Sequence, residues 1–550
     1  MMNMFRLLIV FLLIATIASA QKTRKADKET LKYLKENIEY LSSDKLEGRR
    51  AGTSGESLAA DFIANKFKEI GLLPKGAEDS YFQPFSISDG RQILPDTYLS
   101  VNNQVLTPGI EFFPLSNSKQ SATIKAQVSP SLTENDQPWL IDIADDLDNN
   151  KENPHFDVSN LINSLITKSK DKGASSVIFF NSGDIDDHIS FDEKDRSENT
   201  IIPALYITKN AVKTYLQDLN STYDLQFNVA IGPKIRHSKN IIGYIDNKAQ
   251  FTVVLGAHFD HLGYGEDGNS MLRTGERLIH NGADDNASGT AALIELAFLL
   301  NKSKSKQFNY LFIAFSAEEL GLNGSKYFSE NPTISLNTVN YMINMDMVGR
   351  MNDSTRVITI GGYGTSPSWK PLIDNIKHNP FVIKYDSSGT GPSDHTSFYR
   401  KDIPVLFFFT GLHTDYHKPS DDADKINYLG ELKIIYFIKQ LIENDKQHEK
   451  IAFTKTREQS SGSSTRFSVS LGIMPDYTFP GNGVRVDGVS DGRPAKKAGI
   501  STGDVIRQLG DFKTSSVESY MQALSKFKKG DKTNVIILRG ETELVYEIIF

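Results

Sequence analysis

Apolar, strand-like runs that end in acids or histidines and alternate with helical runs are the feature that most constrains the fold of this chain. They occupy residues 240–444 of the 550-residue sequence. Such alternation favours a mainly parallel sheet with helices on both faces. We therefore predict an α/β domain, with a mainly parallel mixed sheet sandwiched by helices, for this part of the chain.

Four of these runs are followed by side chains that can bind metals or transfer protons. Residues 251–255 precede His258 and Asp260, residues 309–315 precede Glu318 and Glu319, residues 341–345 precede Asp346, and residues 405–409 precede Asp415 and His417. A fifth group, Asp284 and Asp285, comes just before the helical run 290–300. Open α/β sheets bind ligands outside the carboxyl ends of their strands. We expect the five groups to meet at one edge of the sheet.

The residue types at this edge indicate a site for divalent metal ions. The sequence has no cysteine, so any metal must be held by His, Asp and Glu. Zinc suits imidazole and carboxylate ligands best, although Mn²⁺ or Co²⁺ could replace it. Two ions roughly 3.5–4 Å apart would need a bridging carboxylate. A further acid would accept a proton from water, and the adjacent Glu318 and Glu319 can divide these two tasks.

These motifs resemble those of the secreted co-catalytic zinc aminopeptidases of the MH clan, relatives of bacterial leucyl aminopeptidases and of glutamate carboxypeptidase. The matching stretches occur in family order: Leu-Glu-Gly-Arg-Arg-Ala-Gly-Thr at 46–53, Gly-Ala-His-Phe-Asp at 256–260, Asn-Gly-Ala-Asp-Asp at 281–285, Ser-Ala-Glu-Glu at 316–319, Asn-Met-Asp at 344–346, Ser-Asp-His at 393–395 and Asp-Tyr-His at 415–417. The resemblance covers about residues 40–450 and implies the same α/β fold.

The resemblance also implies a role for each residue of the site. His258 and Asp346 would bind one Zn²⁺, Glu319 and His417 would bind a second, and Asp285 would bridge the two. Glu318 would be the general base, and Asp260 would hold the imidazole of His258. Asp394 and His395 are further candidates for binding substrate, and His395 could stabilise an oxyanion. Of the other histidines of this region, His261, His280 and His413 lie near these residues in the sequence but fall in no motif.

The implied activity is that of a metal-dependent exopeptidase, and an aminopeptidase acting on peptides with a free N-terminus is favoured. A carboxypeptidase of the same clan stays open, because Arg273, Arg277 and Arg350 could bind a terminal carboxylate. A glutaminyl-cyclase-like acyl transferase is a second alternative, although such an enzyme keeps a single zinc. A non-enzymatic binding protein is the third, and it would leave the metal site unused.

Composition shifts predict further domains around the main one. Residues 21–90 are interpreted as the N-terminal part of the peptidase domain, which continues at 236–447, and residues 91–235 as a β-rich α/β insertion similar to a protease-associated domain. A polar linker at 448–464 leads to residues 465–550, which resemble a PDZ domain. Its loop Leu471, Gly472 and Ile473 would bind the C-terminal carboxylate of a peptide or protein.

The N-terminus and the charge of the chain predict where it works. A basic Arg6, a short apolar run and Ala-Ser-Ala at 18–20 are typical of a secretory signal peptide over residues 1–20. The mature chain has no segment that predicts a transmembrane helix. The formal net charge of −7 argues against binding to nucleic acid. We expect an exported protein, periplasmic or secreted.

Overall fold

The computed structural model describes residues 25–550 except 152, 154–155, 194, 196–198, 273, 447–448, 457–468, 476–481, 490–491 and 516. The predicted signal peptide, Arg273 and most of the predicted linker lie outside the described residues. Backbone proximity divides the chain into two compact units, one made of the residues up to Phe85 and from His237 to Phe550, the other of Ser86–Arg236. Among the described helices, none is long and apolar enough to cross a membrane.

The N-terminal segment forms two helices on either side of a turn. Helix α1 spans Lys25–Leu41 and α2 spans Ser54–Ile70, with a 3₁₀ turn at Asp44–Arg49 between them. The Thr53 hydroxyl accepts a hydrogen bond from the backbone N–H of Glu56, which caps the start of α2. After α2 the chain forms the short strand β1, Leu73–Pro74.

The smaller unit begins within strand β2 (Phe82–Ile93) and ends within β11 (Ile231–Ile245). Its described residues form two four-stranded sheets, ordered β4-β3-β10-β6 and β5-β9-β8-β7. The strands are β3 (Tyr98–Val101), β4 (Gln104–Leu106), β5 (Phe112–Pro114), β6 (Ile124–Val128), β7 (Pro138–Asp142), β8 (Ser176–Phe180), β9 (Ala204–Ile207) and β10 (Tyr223–Asn228). The helices are α3 (Ala144–Asn150), α4 (Val158–Asp171) and α5 (Lys209–Tyr215). Its similarity to a protease-associated domain stays a prediction.

The larger unit is built on a sheet that has nine strands in the described part of the chain. Its other strands are β12 (Thr252–His258), β13 (Asn309–Phe315), β14 (Val339–Met345), β15 (Val357–Gly361), β16 (Val382–Tyr385) and β17 (Val405–Phe409). The order is β1-β11-β13-β12-β14-β17-β15-β16, and β2 pairs with β11. Strands β13, β12, β14 and β17 are mutually parallel, whereas β11 and β15 run antiparallel to their neighbours β13 and β17. The predicted mixed sheet with a parallel centre is confirmed.

Helices cover both faces of this sheet. They are α6 (Gly289–Asn301), α7 (Asn323–Glu330), α8 (Trp369–Asp374), α9 (His395–Tyr399) and α10 (Tyr428–Asn444). Successive strand residues enter opposite cores: Val253 and Leu255 pack with α6 and α10, whereas Val254 packs on the face that carries Phe328 and Phe398. This period of two explains why the central strands are continuous apolar runs, because both faces are buried.

The C-terminal module has its own sheet and its own apolar core. Its described strands are β18 (Ile473–Pro475), β19 (Val484–Val489), β20 (Val505–Leu509), β21 (Phe512–Lys513), β22 (Lys532–Arg539) and β23 (Thr542–Ile549). Two helices, α11 (Pro494–Ala498) and α12 (Val517–Leu524), complete it. Gly472, with φ of 79°, directly precedes β18, and Leu471 is fully buried. The predicted carboxylate-binding loop therefore leads into a strand that could pair with a peptide.

Candidate active site

The predicted site residues meet at one edge of the central sheet. His258 is the last residue of β12, Asp346 directly follows β14, and Glu318 and Glu319 follow β13 after two residues. Because these strands are parallel neighbours, their carboxyl ends lie together. Asp285 enters from the turn before α6, and His417 from the loop after β17.

One group of potential metal donors surrounds His258. Its Nε2 lies 3.4 Å from Oδ1 of Asp285 and 3.4 Å from Oδ1 of Asp346. Donor atoms about 2.0–2.1 Å from a tetrahedral zinc ion are about 3.3 Å apart. The donor chemistry and the spacing of these three residues therefore fit a zinc ion.

A second group surrounds His417. Its Nε2 lies 3.2 Å from Oδ2 of Asp285 and 3.2 Å from Oε2 of Glu319. Asp285 thus offers one carboxylate oxygen to each group. Its side chain is almost fully buried, and a buried carboxylate is costly unless a cation or hydrogen bonds compensate it.

His261 also lies in this site, although its sequence position suggested no role. Its Nδ1 is 2.8 Å from Oε1 of Glu319, and its buried Nε2 has no hydrogen-bond partner. His261, Asp285 and Glu319 are close enough to form a donor group on their own. The two imidazoles thus contact different oxygens of Glu319, and His417 has the additional contact with Asp285. The position of His261 directly after Asp260 was the available signal.

The turn that carries Asp285 is held in place by the neighbouring loops. Oδ2 of Asp421 accepts hydrogen bonds from the backbone N–H groups of Asp284 (2.9 Å) and Asp285 (3.0 Å). Oδ1 of Asp284 accepts from the N–H of Gly349, three residues beyond Asp346. Gly282 begins the turn with φ of 56°, and a Cβ there would lie 2.2 Å from the carbonyl oxygen of Asp285. Asp284 therefore ties the turn to the loop after β14, and its Oδ2 lies 3.2 Å from Nε2 of His413.

Asp260 connects the ends of β12 and β13. Its carboxylate accepts hydrogen bonds from the N–H groups of Glu318 (3.1 Å) and Glu319 (3.4 Å). Its Oδ1 is 3.6 Å from Nδ1 of His258, and its carbonyl oxygen is nearer, at 3.2 Å. Asp260 thus orients three residues of the site, more than the one predicted.

Burial and contacts with neighbouring charges shift the pKa values of the two adjacent glutamates in opposite directions. Burial, reinforced by Asp346 and Asp394 and opposed by His258, raises the pKa of Glu318 well above its ordinary value. Burial acts in the same direction on Glu319, but His417 and His261 outweigh it and hold the pKa of Glu319 well below its ordinary value. The two carboxyls are therefore suited to different tasks, one to carry a proton and one to bind a cation.

Comparison with known proteins assigns the domain that carries this site. Residues 240–441 match the model of peptidase family M28, and residues 451–549 match that of a PDZ domain. Residues 240–441 are an M28 peptidase domain. The M28 and PDZ assignments agree with the resemblances predicted from the sequence.

Curated relatives match this chain over only part of their length. It is 34% identical over 168 residues to leupeptin-inactivating enzyme 1 of Streptomyces exfoliatus, which is 29% of this chain and 37% of that protein. It is 30% identical over 158 residues to aminopeptidase YwaD of Bacillus subtilis (strain 168), which is 26% of this chain and 34% of that protein. The chain thus spans just over a third of the length of these relatives, at 37% and 34%.

Solved structures add a likeness over a larger share of the chain. The alignment with BSAP, a zinc aminopeptidase from Bacillus subtilis, covers 77% of this chain and 98% of the BSAP chain, at 21% sequence identity and a TM-score of 0.42.

In the M28 domain, Asp394 and His395 lie buried at the start of α9. Both carboxylate oxygens of Asp394 lack a hydrogen-bond partner, and burial together with the nearby Asp260 and Asp346 raises its pKa to about 7. The ring of His395 stacks on Phe407, with centroids 4.6 Å apart, and burial lowers its pKa to about 3. His395 is therefore a neutral imidazole at physiological pH.

The described arginines proposed for a carboxylate pocket already have partners in the M28 domain. Nη2 of Arg350 donates to Oδ2 of Asp415 at 3.2 Å, and its Nη1 is 3.9 Å from Oδ1 of Asp421. Arg277 is mostly exposed and lies over the ring of Tyr264, 4.5 Å from its centroid. Arg350 is thus paired with Asp415, although its buried Nη1 has no hydrogen-bond partner among the described residues, and the guanidinium of Arg277 lies against an aromatic ring.

Proposed function

We propose that this protein is a metal-dependent aminopeptidase that removes residues from the free N-terminus of peptides. The observation that carries the proposal is the pair of donor groups sharing Asp285, whose imidazole and carboxylate atoms are 3.2–3.4 Å apart. Their position at the carboxyl edge of the sheet of an M28 domain supports peptide hydrolysis over a structural role for a metal.

We propose zinc as the metal, with two ions per chain. His258 and Asp346 would hold one ion, His417 and Glu319 the other, and Asp285 would serve both. The metal ions, when bound, supply a water nucleophile at neutral pH and polarise the scissile carbonyl. The hydrogen bond of His261 keeps Glu319 in place. It uses Oε1 of Glu319, whereas His417 lies near Oε2.

Glu318 is the general base in this proposal. Its Oε2 is 4.0 Å from Nε2 of His258, so its carboxyl group borders the first donor group. It would take the proton of the attacking water and pass it to the amine that leaves. The raised pKa of Glu318 helps its carboxylate accept the proton, which the carboxyl group then releases to the leaving amine. The neutral His395 is a candidate to donate a hydrogen bond to the developing oxyanion.

The charge at the edge of the sheet favours a free substrate amine over a free carboxylate. Acids outnumber cations around the two groups, and Arg350 is paired with Asp415. These contacts disfavour the carboxypeptidase alternative. A glutaminyl-cyclase-like transfer needs a single zinc, and the complete set of donors disfavours it.

The PDZ domain and the location of the protein carry two further hypotheses. We propose that Leu471, Gly472 and Ile473 bind the C-terminal carboxylate of a peptide, whose strand would add beside β18. Export to the periplasm or the medium rests on the sequence of residues 1–20 and stays a prediction.

The test is hydrolysis of a panel of aminoacyl-p-nitroanilides by the full chain, with and without a chelator, beside Glu318→Ala. We expect chelator-sensitive release that is absent from the variant and from N-acetylated substrates. Absence of release from every free-amine substrate, with two metal ions bound per chain, would overturn the aminopeptidase assignment. Release from N-blocked peptides instead would favour the carboxypeptidase.

A further inference from the structure

The segment Leu46–Glu56, which runs from the turn after α1 into the start of α2, reaches four of the five loops that carry the potential metal donors. It lies about 200 residues upstream of His258 in the sequence and contributes no donor itself. Its backbone joins the site first. Arg50 forms a parallel bridge with His261, the N–H of His261 donates to the carbonyl of Arg49, and the N–H of Gly263 donates to that of Gly48. Gly48 is needed here, because a Cβ would lie 2.5 Å from the carbonyl oxygen of His280.

Arg49 connects two of the donor loops. Its guanidinium is fully buried and donates to the carbonyl oxygens of Phe259 (2.7 Å), Asn281 (2.7 Å) and Gly282 (3.0 Å), and also to that of Leu41. Phe259 lies between His258 and Asp260, and Gly282 begins the turn that presents Asp285. One side chain therefore fixes the distance between the His258 strand end and the bridging carboxylate. All four partners are neutral carbonyls, so its charge is left to act on the acids of the site.

Glu56 reaches the third donor loop. Its carboxylate accepts hydrogen bonds from the hydroxyls of Ser316 and Ser238 and from the N–H of Gly52 at 2.9 Å. Ser316 is the first residue after β13, two positions before Glu318. Glu56 is almost completely buried, so these hydrogen bonds are shielded from water.

Arg50 reaches the fourth donor loop indirectly. Its Nε and Nη2 donate to the two carboxylate oxygens of Asp267, at 2.8 and 2.9 Å. Two residues further on, the carbonyl oxygen of Asn269 lies 2.9 Å from Nδ1 of His417, and the Asn269 amide donates to the carbonyl of Glu319 at 3.3 Å. The Arg50 pair thus anchors the loop that orients the His417–Glu319 group.

We propose that Arg49, Arg50 and Glu56 are positioning residues that hold four of the five donor loops at the spacing required to bind two metal ions. The proposal rests on the zinc site proposed above. It gives the arginines different routes to the metal ions: Arg49 acts on both ions through the Asp285 turn, whereas Arg50 acts through Asp267 and Asn269 on the ion held by His417 and Glu319. A purely structural role would affect folding stability without such a difference.

The test is a competition titration of the zinc-free full chain with Zn²⁺ against a chromophoric chelator, which gives two dissociation constants. Loss of a partner that orients a metal ligand typically weakens binding about 10- to 100-fold. We expect Arg50→Ala to raise one constant by that factor and to leave the other within about threefold. We expect Arg49→Lys, which keeps the charge but cannot span the four carbonyls, to raise both.

Two further variants separate positioning from folding. Arg236→Lys is the matched control, because Arg236 is a buried arginine that pairs with Asp89 in the other unit; it should leave both constants unchanged. If Arg49→Lys does not fold, Glu56→Gln takes its place, and this variant should weaken binding of the ion held by Glu319. Unchanged constants in the three site variants, with a loss of thermal stability equal to that of the control, would overturn the positioning role alone. A wild-type chain that binds no zinc would overturn the metal site itself.

Discussion

Two of the regions of the larger unit that bury acidic residues treat their charge in different ways. At the edge of the sheet, Asp285 and Glu319 face imidazoles that lower their pKa values. Helices α6 and α10 pack together and bury Glu295 and Glu431, and no imidazole contributes to the pKa shift of either. Burial raises the pKa of Glu295 to about 8, against the attraction of Lys66, and raises that of Glu431 well above its ordinary value. One carboxylate oxygen of Glu295 and both of Glu431 have no hydrogen-bond partner among the described residues.

The comparison separates burial from function. Both regions are shielded from water, and a shifted pKa occurs in both, so a shifted pKa by itself does not identify an active site. What distinguishes the sheet edge is that imidazole and carboxylate groups meet there. Nε2 of His258, for example, lies 3.4 Å from an oxygen of Asp285 and 3.4 Å from an oxygen of Asp346. The helix pair buries acids whose raised pKa values favour the neutral form, and only Lys66 partly offsets the burial of Glu295. Substitutions in the two regions should therefore have effects of opposite sign.

The largest effect is expected for Glu318→Gln, which removes the proposed base while keeping its shape. We expect kcat to fall by about 10²–10⁴-fold, the usual contribution of a general base, while the zinc content is unchanged. Steady-state hydrolysis of leucine p-nitroanilide together with metal analysis measures both. The matched control is Glu431→Gln, a change of the same kind in the helix pair, which should leave kcat unaltered. Activity of Glu318→Gln within tenfold of the wild type would exclude it as the base.

Removal of zinc should destabilise the sheet edge, because its acids then lose their strongest compensating charge. A ligand at 1,000 times its dissociation constant stabilises the folded state by about 4 kcal/mol. Thermal unfolding with zinc and with a chelator measures this difference. Stabilisation by zinc should shrink as the pH falls, since carboxylates raise the pKa values of His258 and His417 against the effect of burial, and zinc must displace those protons. An unchanged melting temperature would contradict the metal site.

Residues at and around the sheet edge differ in how far the sequence predicts their positions. The positions of His258, Glu318 and Asp346 followed from strand runs that end at one edge, because parallel strands align their carboxyl ends. The contacts of Arg49 did not follow, since it meets Phe259 and Gly282 across more than 200 residues of chain. No local pattern encodes such a contact.

Other parts of the site were predictable in principle. His261 extends the His-x-Asp motif by one residue, and its proximity to Glu319 depends on the parallel pairing of β12 with β13. Glu295 stands in a helix that is apolar on all sides, Gly-Thr-Ala-Ala-Leu-Ile-Glu-Leu-Ala-Phe-Leu-Leu at 289–300. A helix of that composition is buried in a core, so its single acid had to be buried as well.

Glu431→Gln should stabilise the protein at pH 8, the reverse of any loss at the sheet edge. The native state keeps this carboxyl neutral, whereas the unfolded chain ionises it near its ordinary pKa, which favours unfolding as the pH rises. Glutamine has a similar shape and no proton to lose. Urea unfolding at pH 8 should show a higher midpoint for the variant. A lower midpoint would mean that the protonated carboxyl makes contacts that glutamine cannot replace.

Glu295→Gln should give a smaller and pH-dependent gain. The folded pKa of about 8 exceeds the ordinary value of 4.5, so between these values the unfolded state binds fewer protons than the folded state. The free energy of unfolding therefore decreases as pH rises through this window, by at most about 1.4 kcal/mol per pH unit, and levels off above pH 8. Urea midpoints of the variant, measured from pH 5 to pH 8.5, should lose this contribution to the slope. Glu69→Gln, an exposed acid on α2, controls for the change in net charge. Curves of wild type and Glu295→Gln that stay parallel across the window would show that Glu295 is ionised in the folded protein, and would remove the contrast between the helix pair and the sheet edge.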